Sequence, residues 1–130
     1  MKLLHAIALL VFCLVTILSS EGAAQLPMGM ARQSGDSLRA LQDNRAWVDL
    51  KSAATSEEAY YVDNEKYISC ENEKCQAVLP GLLFTPGVTL KMEVVGSGFR
   101  GESSHRDGTG MVFHYDSTKG GMQEKAPMQR

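Results

Sequence analysis

The chain carries no excess of basic residues: Lys and Arg number 13 against 15 Asp and Glu, for a formal charge of −2. That excludes a protein that holds nucleic acid by a basic surface. It has no C-x-x-C pair and no C-x-x-C-H, which removes dithiol redox catalysis and c-type haem attachment. No glycine-rich turn follows a strand pattern, so no phosphate cradle is expected. No internal repeat is visible. At 130 residues there is no room for a barrel or a doubly wound enzyme. Yet 44% of the residues are hydrophobic and only 22% charged, so the chain is not too polar to fold.

What is present begins with an apolar run from Ala6 to Leu18, preceded by Lys2 and followed by small residues up to Ala23 and Ala24. The run is too short for a bilayer span, which needs about 20 residues, and suits an export signal. Residues 1–24 are therefore read as a signal peptide cleaved after Ala24, with an uncleaved anchor as the alternative. Cys13 would leave with it. That leaves Cys70 and Cys75 in a chain sent to an oxidising compartment, the periplasm or cell exterior, and a structural disulfide between them is expected. It closes a short loop over Glu71, Asn72, Glu73 and Lys74, read as a polar turn.

Residues 25–36 are rich in Gly, Pro and Met and read as a flexible leader. Residues 37–118 form the expected globular domain. Between Asp36 and Leu79 there is neither Gly nor Pro, and Asp36 or Ser37 is the expected cap of a helix reaching about Val62. At 100° per residue, Ala46, Trp47, Leu50, Ala53, Ala54, Tyr60 and Tyr61 share one apolar face suited to covering a sheet. Glu57 falls in its middle, unexplained by the pattern; a polar edge or a backbone amide is what it would have to reach. Leu38, Leu41, Val48, Ala59 and Val62 make a second stripe on the opposite side. Either a loop or the leader folds over that stripe, or it receives a partner.

After the helix, Val88–Val95 alternates apolar and polar residues as a half-buried strand does. Gly96-Ser97-Gly98 then marks a hairpin, Phe99–Ser104 a second strand, Asp107–Gly110 a turn, and Met111–Tyr115 a third strand. The expected class is α+β, one long N-terminal helix on a three- to four-stranded antiparallel sheet. Residues 119–130 read as a disordered tail.

Chemistry-bearing residues are few. Ser103, Ser104, His105, Arg106 and Asp107 crowd one turn, but neighbours in a tight turn rarely face each other as a catalytic triad must. No catalytic residue is expected. Asp63, Asn64 and Glu65 resemble the start of a calcium loop without its Gly and distal Glu; calcium on the Asp63–Glu73 side chains stays open, and no metal or cofactor site is assigned. Zinc at Cys70 and Cys75 would need two further ligands that the dispersed His105 and His114 do not offer.

One resemblance emerges from these residues. The run Asp49–Tyr67, centred on Glu57-Glu58-Ala59-Tyr60-Tyr61-Val62-Asp63-Asn64, closely resembles the end of the long helix and the following loop of bacterial type IV pilins. Leu79-Pro80-Gly81, Pro86-Gly87-Val88-Thr89-Leu90, Gly96-Ser97-Gly98-Phe99, and Gly108-Thr109-Gly110 with Phe113-His114-Tyr115-Asp116-Ser117 are similar to that family's globular head. A pilin begins with a short basic leader, a Gly followed by Phe or Met, and an apolar stalk helix. Here an export signal stands in that place, and Gly29-Met30 is followed by Ala31, Arg32, Gln33 and Ser34, which cannot form such a stalk. The chain thus resembles the globular member of a split pilin, in which a separate short pilin supplies the hydrophobic helix. That resemblance implies a non-enzymatic filament subunit docking through Leu38, Leu41 and Val48, with contact to a membrane only through its partner. A periplasmic assembly factor for the short pilin, or a secreted binding module using the His105 or Cys70–Cys75 loop, are the competing readings.

Overall fold

A computed structural model describes residues 28–123 and 126–127, and the side chains of 34–123. The signal peptide, its cleavage point after Ala24, Cys13 and the last residues of the tail lie outside the described residues. The chain separates into two compact units, Met1–Ala31 and Arg32–Arg130, and the following concerns the second. No helix among the described residues is long and apolar enough to cross a membrane.

Helix α1 runs Met28–Asn64. It starts inside the stretch expected as a flexible leader, ahead of the Asp36 or Ser37 cap. Gly29 and Gly35 each cost a helix only about 1 kcal/mol against Ala, and extending a helix already held by packing is cheap compared with nucleating one. The helix ends at Asn64, two residues past the expected end near Val62, where Glu65 takes a positive φ of 56° and its N–H bonds the Tyr61 carbonyl at 2.8 Å.

The helix is followed by β1 (Cys70–Glu71), a short helix α2 (Glu73–Val78), β2 (Val88–Val95), β3 (Gly98–His105), β4 (Met111–Asp116), a 3₁₀ turn over Ser117–Lys119, and β5 (Gly121–Met122). All strand pairs are antiparallel, in the spatial order β1-β2-β3-β4-β5, and a further two-residue strand β6 (Ala126–Pro127) pairs with β4 beside β5. The sheet is therefore wider than the three to four strands expected, because two edge strands are only two residues long and leave no alternating pattern to read. The three central strands lie where the alternation put them. Their first hairpin pairs Val95 with Gly98, leaving Gly96-Ser97 as a two-residue turn with φ of 59° at Gly96, the backbone that a type II′ turn requires.

Both added edges have a chemical cause. On one side, Ser69 Oγ accepts the Val94 N–H at 3.0 Å and Asn72 Oδ1 accepts the Leu90 N–H at 3.0 Å, so side chains complete a ladder that β1 alone is too short to fill. The Cys70–Cys75 disulfide joins β1 to α2, where a polar turn was expected. On the other side, the residues expected to fray from Lys119 are tied down as far as Gln123. Asp116 accepts from the Thr118 N–H at 3.0 Å and hydroxyl at 2.6 Å, Ser117 Oγ accepts the Phe99 N–H at 2.9 Å, and the Gln123 N–H reaches the His114 carbonyl at 2.9 Å.

The core lies between α1 and one face of the sheet. Ala46, Leu50, Ala53 and Ala54 meet Leu90, Met92, Phe99 and Phe113, with Leu79, Leu82 and Val88 closing one end. Tyr61, expected on this face, is exposed instead; it stacks on Tyr67 at 4.7 Å, which continues inward to Phe99 at 4.9 Å and Tyr115 at 5.5 Å. Helix and sheet are packed tightly at Gly101, where a Cβ would stand 2.6 Å from Leu50 Cδ1 and 2.9 Å from Met92 Sδ. Leu50 is wholly buried and has nowhere to swing. Gly101→Ala should therefore lower unfolding free energy by about 1–3 kcal/mol in chemical denaturation, whereas Gly35→Ala, in open space within α1, should raise it by about 0.5–1 kcal/mol.

Candidate partner-binding surface

The helix that organises the core also gathers three loops by carboxylates on or beside its buried side. Asp43 accepts from the Thr109 N–H at 3.1 Å and from the Thr109 hydroxyl, holding the β3–β4 turn. Asp49 accepts from the Thr85 N–H at 2.8 Å and its hydroxyl at 3.0 Å, holding the segment before β2. Glu57 accepts from the Ile68 N–H at 3.1 Å, holding the segment that leads to Cys70. Asp43, Leu50 and Glu57 recur every seven residues, so both acids lie in line with the most buried leucine. Of the two roles open to Glu57 from the pattern, a polar edge or a backbone amide, it takes the second, at Ile68.

The three acids differ in how completely they are satisfied. Glu57 Oε1 has no hydrogen-bond partner and the residue is 0% exposed; burial raises its pKa above the ordinary glutamate value, against the lowering effect of the Ile68 N–H and with further raising by Glu58. Burial also raises the pKa of Tyr67, whose hydroxyl donates to Glu58 at 3.1 Å. On the outer sheet face the opposite holds. The Thr118 hydroxyl, outweighing the cost of burial and joined by Arg100 at 2.9 Å, keeps Asp116 below the usual carboxylate range.

That outer face alternates in sign. Glu93, Arg100 and Asp116 stand opposite one another across β2, β3 and β4, as do Lys91, Glu102 and His114, so acidic and basic side chains alternate and the surface has no large field of one sign. A groove of about 440 Å³ lies over this network. A second, also of about 440 Å³, lies beside α1 between Trp47, Ala40, Met111 and Phe113.

The residues considered for catalysis do not converge. Ser103 is buried and its hydroxyl donates to the Ala46 carbonyl at 2.8 Å, pinning helix to sheet. His105 is buried too; its Nδ1 accepts the Asp107 N–H at 3.0 Å, and Nε2 has no partner. Among the described residues no three His, Cys, Asp or Glu side chains come together as a metal site, the Asp63–Glu73 segment included.

The second stripe of α1 stands on the surface. Leu38 is 60% exposed, Leu41 47%, Val48 44% and Val62 78%, and Ala59 is exposed with them. Among the described residues, no loop seals it. It faces away from the sheet because Leu50 and its neighbours, on the opposite side, are fully committed to the core. What the sequence reading missed were Asp43 and Asp49, whose signal was there: acids at or beside heptad positions of the core face, each matched by a Thr in a distant glycine- or proline-bearing turn. No protein-family model matches the chain, and no curated protein matches it.

Two outcomes test this arrangement. Asp49→Ala removes an acceptor from a half-buried amide and hydroxyl and should cost about 1–3 kcal/mol, with faster hydrogen exchange at Thr85. Glu57 binds its proton more tightly in the folded chain than in the unfolded one, so its contribution to stability falls as pH rises through and above the ordinary glutamate range. Glu57→Gln should lose that decline: measured by urea unfolding, the variant gains on the parent as pH rises above the ordinary glutamate value of about 4.3, and parallel pH profiles would contradict the assignment.

Proposed function

We propose that this chain is a non-enzymatic structural subunit of a type IV pilus or pilin-like filament, which docks through its long helix onto a separate short pilin carrying the hydrophobic stalk. The observation that carries the reading is the exposed stripe Leu38, Leu41 and Val48 on the back of a helix whose other face is sealed. A head of this α+β build with its core complete has no internal use for those side chains. Burying three of them contributes about 5 kcal/mol before ordering costs, at about 1.5–3 kcal/mol each. The disulfide Cys70–Cys75 is compatible with an oxidising, exported location, and in this reading the protein travels through the periplasm to the cell surface.

The resemblance of Asp49–Tyr67 and of the hairpin segments to pilin heads supplies the partner's identity. In that scheme the short pilin provides the membrane contact and filament core, and this chain provides the exterior. An assembly factor that binds the short pilin without entering the filament uses the same surface, so the two readings are separated by stoichiometry.

Val48→Asp or Leu41→Asp should leave the isolated domain folded, with unfolding free energy within about 0.5 kcal/mol of the parent, and abolish binding to a short pilin in a pull-down. Unfolding of both variants would show the stripe to be core. Sheared filaments analysed by mass spectrometry should contain this chain in equal amount with the short pilin; a trace amount would favour the assembly factor.

A further inference from the structure

The exposed stripe has the spacing of a coiled-coil seam. Leu38, Arg45, Ser52 and Ala59 recur every seven residues, as do Leu41, Val48, Thr55 and Val62, and the two sets alternate at three and four. Seven of these eight are exposed and Ser52 is half-buried. A seam of period 3.5 is matched by another helix, because only a helix supplies holes at that spacing.

We propose that two copies of this chain pair through this seam as an antiparallel, two-fold symmetric coiled coil. The sequence of side chains along the seam selects the orientation. In the antiparallel register Leu38 faces Val62 of the second copy, Leu41 faces Ala59, Arg45 faces Thr55 and Val48 faces Ser52. Each larger side chain of the N-terminal half meets a smaller one of the C-terminal half, so the layers fill evenly. A parallel, in-register pair would instead set Arg45 against Arg45 and leave small residues facing each other at Ser52 and Ala59.

Charge agrees with size. Within the N-terminal half of the seam stands Arg45, and the C-terminal half is flanked by Glu58 and Asp63. Antiparallel pairing brings Arg45 of one copy beside Glu58 of the other, twice by symmetry, and sets the helix dipoles head to tail. Arg45 is held by an exposed bond from its guanidinium to Gln42 at 3.0 Å, which it can exchange. The one like-charge meeting at the centre, Lys51 with Lys51, is relieved because Lys51 Nζ lies 4.6 Å over the Trp47 ring, turned away from the seam. The sheets, on the opposite side of each helix, point outward and do not meet.

This pairing gives an exported head a way to cover its apolar stripe until a pilin helix takes its place, and the two occupants exclude each other. The test is cross-linking and sedimentation on the exported chain, with Cys70–Cys75 confirmed intact by mass mapping. The Leu41→Cys, Ala59→Cys double variant should form a covalent dimer on mild oxidation, while each single variant should form at least roughly tenfold less. Arg45→Glu and Glu58→Arg should each weaken dimerisation by roughly tenfold, and the two together should restore it. A chain that sediments as a monomer throughout the micromolar range, efficient cross-linking by Leu41→Cys alone, or no rescue in the charge swap overturns the proposal. A monomer that still captures a short pilin overturns the pairing and leaves the docking reading intact.

Discussion

Everything in this molecule depends on how closely α1 lies on the sheet at Leu50 and Gly101. The contact is possible only because β3 offers no side chain there: a single methyl would stand 2.6 Å from Leu50 Cδ1. With the helix at that depth, the Ala46 carbonyl comes within reach of the Ser103 hydroxyl, and the small residues Ala46, Ala53 and Ala54 suffice to fill the layer. A larger spacing would open voids along the whole helix and pull its carboxylates away from the turns they hold.

Those carboxylates turn a two-layer core into a single ordered head. Each accepts a backbone N–H from a loop that has no regular partner of its own, so a long helix fixes chain segments far away in sequence: Thr109 through Asp43, Thr85 through Asp49, Ile68 through Glu57. The cost falls unevenly. Asp49 uses both oxygens, while Glu57 buries one oxygen with nothing to bond it, and its raised pKa is the electrostatic expression of that shortfall. At the other edge, Asp116 is surrounded by donors and ties the end of β4 to the following turn, which is why the chain from Lys119 to Gln123 keeps its place.

The same geometry separates core from surface on one helix. Because the sheet takes the Leu50 side entirely, the stripe from Leu38 to Val62 is left to water or to another polypeptide. The proposed docking of a short pilin and the proposed pairing with a second copy would be two uses of one constraint: a helix apolar on two sides, with one side covered by the other described residues. The outer sheet face, with its alternating charges, offers no comparable apolar area.

Much of this was legible in the residues. The period of 3.6 along α1, the alternation in β2, the glycine turns and the pair Cys70 and Cys75 point to the α+β class, the central hairpins and the disulfide, because each is a local pattern set by side chains a few positions apart. The exposed stripe was legible for the same reason, but whether a loop covered it was not. Tertiary structure decided what depends on distant partners. The two-residue edge strands exist because Ser69, Asn72 and Asp116 find donors across the sheet, and Asp43, Asp49 and Glu57 acquire their roles only when turns many residues away are brought within 3 Å or so of them.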